Sequence, residues 1–469
     1  KATGGGAPQD VQILNTALGA ELEAIAAHQL GAESKLLEKP VVALPVPSSA
    51  RRGTEGAARP AGAEPDATAP SGAVATGAYP DLFAEAGYAR ADVDAKVQAA
   101  FQQLFHGDRD GQAVYYEDGR NGHGPLAYIH DVNSGDVRSE GMSYGMMIAV
   151  QLDRKAEFDA LWNWAMTHMY QDDPAHPAHG YFAWSVRTDG VANDEMPAPD
   201  GEEYFITALY FAAQRWGGGE GLYDYRAQAD RLLTDVLHRQ PVTGTTRRGE
   251  QTALSLFDRD AKMVRFTPDQ ENAAHTDASY HLPAFYEVWA RVGPQADRAF
   301  WREATQASRD YFAKAAHPRT ALTPDYGNFD GTPWAAPWRP ESADFRYDAW
   351  RSAMNWSVDW SWWAADPRQV EMSNRLQAFF QSQGMAGYQS LYTLDGKPLG
   401  GGQTTGLVAT NAVASLAADH PRRLDFVRAL WEQPVPSGQH RYYDGMLYLM
   451  ALLHCSGDFR AWLPADAGR

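Results

Sequence analysis

The chain of 469 residues has a net charge of −18, and 44% of its residues are hydrophobic and 12% aromatic. A charge of this sign repels nucleic-acid phosphates and anionic membranes, so neither is an expected partner. The 15 Trp and 22 Tyr suit a ligand with apolar ring faces, such as a sugar, although such residues also fill cores. Cys455 is the single cysteine, which excludes an internal disulfide, and no run of 18 apolar residues predicts a membrane span.

The first 78 residues differ from the rest of the chain in composition and in hydrophobic pattern. Residues 9–38 carry an apolar stripe that includes Val11, Leu14 and Leu18, which predicts an amphipathic helical segment over residues 1–39. Residues 40–78 are rich in Pro, Ala and Gly and hold no aromatic residue, which predicts a disordered linker.

From residue 79 to 469, aromatic-rich helical patterns alternate with Gly/Pro loops, and convincing alternating strands are few. About twelve helices in one domain favour an all-α fold of six helical hairpins closed as an α/α barrel. A solenoid would give similar periodicity, but no repeat of fixed length is present. The predicted helices are 91–106, 139–152, 156–170, 201–216, 222–238, 278–291, 297–315, 347–364, 367–383, 404–418, 421–432 and 442–454.

One acidic residue, Glu140, stands where an apolar helix begins, in the stretch "SGDVRSEGMSYGMMIAV". A buried acid without a partner is costly. Either Ser139 caps the helix and Glu140 complements its dipole, or the raised pKa of a buried carboxyl is put to use.

Five further acids lie just before or in the first turn of the apolar helix predicted at 201–216, more than capping or dipole complementarity explains. They are Asp194, Glu195, Asp200, Glu202 and Glu203. A third acidic position, Asp348, lies in "FRYDAWRSAMNWSVDWSWW", three residues before Arg351. A local helix ion pair would explain Asp348 and would contribute about 0.2–0.5 kcal/mol.

Histidines and aspartates also occur together in residues 167–186. They lack the helical HExxH pairing of a metal site, and no phosphate-binding or dinucleotide-binding glycine motif is present. We therefore expect neither a metal nor a cofactor.

Three segments together resemble family 8 of the glycoside hydrolases. "DVRSEGMSYGMMIAVQLDRKAEFDALWNWAMTHM" is similar to its general-acid segment, "APDGEEYFITALYFAAQRW" to its second signature, and "RYDAWR" to its Asp-Ala-x-Arg segment. The resemblance covers roughly residues 79–463. Within the family, "GYFAWSV" and "TGLVATNAVASLAA" are most similar to the reducing-end xylose-releasing exo-oligoxylanases.

The resemblance implies an (α/α)6 barrel and an inverting hydrolase that cleaves β-1,4-xylosidic bonds and releases xylose from the reducing end of xylo-oligosaccharides. It implies Glu140 as proton donor and Asp348 as general base. It also implies that Asp200 grips the distorted sugar, that Trp184 stacks on a sugar, that Tyr280 helps to hold the nucleophilic water, and that Arg351 supports the base.

One loop departs from the exo-acting pattern. Those members carry a histidine ahead of the "GLVATNA" helix, on a loop that closes the leaving-group side, whereas this chain reads "KPLGGGQTTGLVATNA". Gly400, Gly401 and Gly402 offer little bulk for a fixed wall. An endo-xylanase, or another endo-β-glucanase, is therefore the alternative within the family.

A non-catalytic carbohydrate-binding protein is the alternative from another class, because it would use the same aromatic rings without the acid pair. An α/α-barrel lyase acting on uronates would need a basic groove, which the net charge disfavours. We expect a monomer that works in the periplasm or outside the cell, with the cytoplasm as the alternative.

Overall fold

Twelve helices of nine residues or more form the framework of this computed structural model, which describes residues 70–465 and 467. The helices are α1 (Arg90–His106), α2 (Ser139–Gln151), α3 (Lys155–His168), α4 (Pro199–Trp216), α5 (Tyr225–His238), α6 (Pro283–Val292), α7 (Arg298–Ala315), α8 (Trp350–Trp363), α9 (Arg368–Gln383), α10 (Thr405–Val413), α11 (Arg423–Glu432) and α12 (Arg441–Cys455).

The helices form two concentric rings. In the order α2, α4, α6, α8, α10 and α12, each inner helix packs against the next, and α12 packs against α2. Each inner helix also packs against an outer helix. For α2, α4, α6, α8 and α10 this is the next helix in sequence, namely α3, α5, α7, α9 and α11, whereas α12 packs against α1. This arrangement is an (α/α)6 barrel, so the predicted fold is confirmed.

Burial differs between the rings, and the sequence explains why. The outer helix α5 buries one apolar face that includes Ala229, Leu232, Leu233 and Val236, at the spacing of an amphipathic helix. The inner helix α2 buries every residue except Glu140, which is partly exposed. An inner helix is covered on all sides, so it is apolar nearly all round.

Short antiparallel strands lie in the connections between helices, where the sequence analysis expected few. One sheet has three strands, Asp136–Arg138, Ser185–Arg187 and Ala192–Asp194. The two-stranded pairs are Tyr115–Asn121 with Gly124–Ile129, Val242–Thr246 with Gly249–Ala253, Phe257–Asp258 with Met263–Val264, His275–Asp277 with Tyr326–Asn328, and Leu391–Tyr392 with Pro398–Gly400.

Two inner helices, α6 and α8, begin several residues later than predicted. The helix predicted over 278–291 is a 3-10 turn, Ala278–Tyr280, followed by α6 from Pro283. The helix predicted over 347–364 begins at Trp350, so Asp348 lies in the turn that precedes α8. In both places the chain turns just before an inner helix, and this positions side chains at the end of the barrel.

The N-terminal boundary differs from the prediction over the residues that the structure describes. Residues 70–78 were assigned to the linker, yet Ala73–Thr76 forms a helical turn and Ala73 is buried. Gly72 lies against the backbone carbonyl of Trp362 at the end of α8, where a side chain would not fit. The predicted segment 1–39 and the remainder of the linker lie outside the described residues. Within residues 70–465 and 467, the helices fall short of the length and hydropathy that a membrane span needs.

Candidate active site

A single buried arginine, Arg351 in the first turn of α8, connects the three acids singled out in the sequence. Its Nη1 lies 3.1 Å from Glu140 Oε2 and 2.8 Å from Asp200 Oδ2, and its Nη2 lies 3.0 Å from Asp348 Oδ1. The rigid guanidinium fork holds carboxylates in fixed directions. Residues separated by more than 200 positions thus meet at one end of the barrel.

Glu140 lies in the first turn of α2, where its side chain is 16% exposed. Ser139 is a helical residue rather than the N-cap, which is Arg138 and makes no side-chain capping bond. Burial raises the pKa of Glu140 to about 7, an effect opposed by Arg351 and reinforced by the negative charge of Asp200. A carboxyl with this pKa can still hold a proton near neutral pH, as a general acid must.

Tyr442 of α12 donates a hydrogen bond from its hydroxyl to Glu140 Oε1 at 2.9 Å. The ring packs against Gly141, where an added Cβ would lie 2.6 Å from Tyr442 Cε2. The glycine that follows Glu140 therefore leaves room for the tyrosine that orients the carboxyl.

Asp200 is the second residue of α4 and is 3% exposed. Besides the Arg351 contact, its Oδ1 accepts a hydrogen bond from the Gly201 N–H at 3.0 Å. Burial raises the pKa of Asp200, and the Arg351 guanidinium opposes that rise. Gly201 allows α4 to approach α2, because an added Cβ would lie 2.6 Å from Ser139 Cβ.

Asp348 is the most accessible of the three acids, with 26% of its side chain exposed. Its backbone N–H donates to Asp325 Oδ1 at 2.9 Å, and the N–H of Ala349 donates to the same oxygen at 3.0 Å. Exposure on one side and an Arg351 contact on the other suit a carboxylate that has to reach a water molecule.

Tyr280 lies in the 3-10 turn before α6 and is 7% exposed. Burial raises its pKa, and the negative charges of Asp200, Asp277 and Asp348 raise it further. The phenol is therefore protonated and able to donate a hydrogen bond among these carboxylates.

Trp184 is half-buried and lies beside the start of α2. Its backbone carbonyl accepts a hydrogen bond from the Ser139 N–H at 3.0 Å, and the Arg138 guanidinium carbon lies 5.5 Å from its ring centroid. The indole thus lies beside Arg138, two residues before Glu140 in sequence, with part of its surface accessible.

The other four acids around α4 have different partners. Glu202 accepts a hydrogen bond from the Phe182 N–H and Glu203 from the Tyr286 hydroxyl, and both are buried. Asp194 pairs with Arg248, and Glu195 accepts from the Arg247 N–H. Of the five acids in this segment, only Asp200 contacts Arg351.

Several residues that complete the site were not predicted from the sequence. Tyr144 contacts Arg351 Nη1 through its hydroxyl at 2.5 Å, and Tyr443 donates to the Tyr347 carbonyl beside Asp348 at 2.8 Å. Tyr442 and Asp325 were not predicted either. Tyr144 lies one helical turn after Glu140, whereas the other three lie far from the acids in sequence and carry no local signal.

Within residues 70–465 and 467, His, Cys, Asp and Glu residues form no group arranged to hold a metal ion. The predicted residues supply instead a carboxyl with a raised pKa, a partly exposed carboxylate and accessible aromatic rings. This combination can protonate a leaving oxygen and activate a water molecule.

The sequence matches the model of "Glycosyl hydrolases family 8" over residues 129–457. The chain is 42% identical over 394 residues to a reducing-end xylose-releasing exo-oligoxylanase of Paenibacillus barcinonensis, covering 83% of this chain and 98% of that protein.

Two solved structures from Teredinibacter turnerae are similar to this chain at higher identity. One is a xylobiose complex of a family 8 glycosyl hydrolase, with 66% identity and a TM-score of 0.83, covering 84% of this chain and 100% of the other. The second is a xylohexaose complex of a catalytic mutant of a family 8 xylanase, with 65% identity, a TM-score of 0.83 and the same coverage.

Proposed function

Because the chain belongs to family 8 of the glycosyl hydrolases, we propose that it hydrolyses β-1,4-xylosidic bonds with inversion and releases xylose from the reducing end of xylo-oligosaccharides. The observation that carries the proposal is the placement of Glu140 and Asp348 on opposite nitrogens of Arg351. The exo-oligoxylanase relative supports the substrate and the end of the chain that is attacked.

The reaction needs an acid on one side of the scissile bond and a base on the other. Glu140 gives its proton to the leaving glycosidic oxygen, and Asp348 takes a proton from the water that attacks the anomeric carbon. In an inverting enzyme the two carboxyl groups stand roughly 6.5–9.5 Å apart, which leaves room for that water. Tyr280 donates a hydrogen bond to the water in this scheme, and Asp200 binds the sugar at the scissile bond.

Accessible aromatic rings extend the site, one near Asp348 and one near the start of α2. Tyr347 is 41% exposed and packs against Trp350, and Trp184 is half-buried beside Arg138. The apolar face of a neutral sugar ring stacks on such rings, and the net charge of −18 disfavours an anionic substrate. These features favour a neutral oligosaccharide, as proposed.

Endo-xylanase activity is a second candidate, which the loop before α10 favours. Gly400, Gly401 and Gly402 have φ values of 105°, 87° and 62°, which other residues rarely adopt. Gln403 is exposed and donates its side-chain amide to the Met385 carbonyl at 3.0 Å. The loop connects to the base side of the site, because Thr404 contacts Ser390 and the Ser390 carbonyl accepts from Trp350.

Such a loop gives little side-chain bulk to clash with a second leaving-group sugar, and an exo-enzyme depends on that clash. The similar xylanase structure with xylohexaose also supports the second candidate.

The two candidates are separated by xylotetraose labelled with ¹³C at the reducing end. If the enzyme removes xylose from the reducing end, labelled xylose is the labelled product at every time point. Early labelled xylobiose or xylotriose would overturn the exo proposal and support endo action. The Glu140→Gln variant is the control, because it should bind the same sugars without cleaving them. A protein that only binds carbohydrate would cleave none of them even in its native form.

A further inference from the structure

We propose that Asp325, held by Arg339, is a positioning residue for the reaction: it anchors the backbone that carries Asp348 and thereby fixes the direction of the general base. This inference rests on the proposed role of Asp348. Asp325 itself is 0% exposed and does not reach the cleft, so its action is through Asp348.

The anchor consists of two hydrogen bonds to one oxygen. Asp325 Oδ1 accepts from the N–H of Asp348 at 2.9 Å and from the N–H of Ala349 at 3.0 Å. These donors lie at the start of α8, where N–H groups have no partner within the helix. Ala349 is the N-cap and has no capping side chain, so Asp325 supplies the acceptor from a distant segment.

Asp325 is itself held at its side chain and at its backbone. The side-chain Oδ2 lies 3.1 Å from Arg339 Nη2, and the backbone N–H of Asp325 donates to the Asp344 carbonyl at 2.9 Å. Arg339 is oriented in turn, because its Nη1 donates to the Tyr326 hydroxyl at 3.0 Å. The charge contact with Arg339 on Oδ2 and the two N–H donors on Oδ1 together favour the orientation in which Oδ1 faces the turn before α8.

Asp348 is held at its two ends by separate groups. Arg351 binds the side-chain oxygen at 3.0 Å, and Asp325 binds the backbone N–H. Without the bond from Asp325, the backbone of the turn before α8 could shift. The Asp348 side chain would then change its direction, although its contact with Arg351 remained. Small displacements of a reacting group cost far more rate than binding, and about 1 Å costs on the order of 100-fold.

The test compares steady-state rates of five variants on xylotetraose, each checked for folding by circular dichroism. Asp325→Ala should lower kcat on the order of 10- to 100-fold and change KM by less than about threefold, since the anchor acts on the transition state. Arg339→Ala should lower kcat in the same way but less. Arg339→Lys should recover most of that loss, because the ammonium still reaches Asp325.

Asp359→Asn is the matched control on the same helix. Asp359 is also buried and paired with an arginine, Arg309, at 2.7 and 2.8 Å, but it lies three turns into α8. Its kcat should stay within about twofold of the native value even if its stability falls.

The proposal is overturned if Arg339→Ala and Asp325→Ala both keep native kcat, if the loss falls on KM alone, or if Asp359→Asn shows the same drop in kcat. If Asp325→Ala does not fold, Arg339→Ala and Arg339→Lys decide, because the Arg339 side chain is 28% exposed and its removal leaves a smaller defect. Asp348→Asn, measured in parallel, tests the proposed role of Asp348 separately from that of Asp325. If Asp348→Asn keeps its activity, Asp348 is not the general base, whatever the Asp325 variants show.

Discussion

Arg351 holds Glu140, Asp200 and Asp348 together, and its positive charge lowers the pKa of Glu140 against the larger effect of burial. The pKa of Glu140 is about 7, raised by burial and lowered by Arg351. A proton donor is active only while protonated, so kcat/KM should fall as pH rises through about 7. Arg351→Met removes the cation, so the residual activity should be lower and its alkaline limb should move to higher pH. An alkaline limb that stays in place in Arg351→Met would contradict this account of the pKa.

The same pKa has a consequence for stability. The folded-state pKa of Glu140 lies above its usual value of 4.5, so folding favours the protonated form. The native chain is therefore penalised as pH rises from about 4.5 to 7, by up to about 3 kcal/mol above that range. Glu140→Gln removes the penalty.

We expect Glu140→Gln to be more stable than the native chain near pH 8 and to lose that advantage near pH 5. Urea unfolding of both proteins at the two pH values measures the difference, and ionisable groups remote from Glu140 cancel in the comparison. A difference in the free energy of unfolding that does not depend on pH would show that burial does not disfavour the Glu140 carboxylate.

At the scale of elements, the close approach of α2 and α4 brings Glu140 and Asp200 to one guanidinium. The approach depends on Gly201, where an added Cβ would lie 2.6 Å from Ser139 Cβ and 3.2 Å from the Ser139 backbone carbon. Gly201→Ala should cost about 1–3 kcal/mol of stability through overpacking. It should also lower kcat, because the two helix starts move apart.

Gly218→Ala is the matched control at the opposite end of α4, since an added Cβ there meets no atom within 4 Å. Thermal unfolding and xylotetraose hydrolysis of both variants check the prediction. If Gly201→Ala behaves like Gly218→Ala, the packing of α2 on α4 does not set the geometry of the site.

The helices were more predictable from the sequence than the site, for a physical reason. All twelve predicted helices are present, because amphipathic or wholly apolar patterns depend on residues close in sequence. The predicted starts of α6 and α8 were wrong by a few residues. At α8 the N–H groups of the preceding turn are bound by Asp325, which lies far along the chain. At α6 a 3-10 turn capped by Asp277 comes first, and the helix begins at Pro283.

The three acids and Arg351 were identified by resemblance to known segments, and the structure brings them into contact. Tyr442 and Asp325 were not identified, because only the closed barrel brings α12 and the segment before α8 to Glu140 and Asp348.

At the scale of the whole molecule, the helical turn Ala73–Thr76 packs against the end of α8 and so contributes to the barrel. A chain beginning at Pro70 should keep its kcat/KM, because it retains the helical turn Ala73–Thr76 against the end of α8. A chain beginning at Tyr79 should lose about 1–3 kcal/mol of stability, since it lacks the buried Ala73. Denaturant unfolding and activity of both chains provide the check, and equal stability would show that the turn is dispensable.

If Glu140 and Asp348 act on opposite sides of the scissile bond, hydrolysis inverts the anomeric centre. Proton NMR during the hydrolysis of xylotetraose detects this inversion, because it reads the new reducing end before mutarotation. We expect this hemiacetal, on xylotriose if one xylose is released, to appear first as the α-anomer. A β-anomer appearing first would mean retention through a covalent intermediate and would contradict the roles given to Glu140 and Asp348.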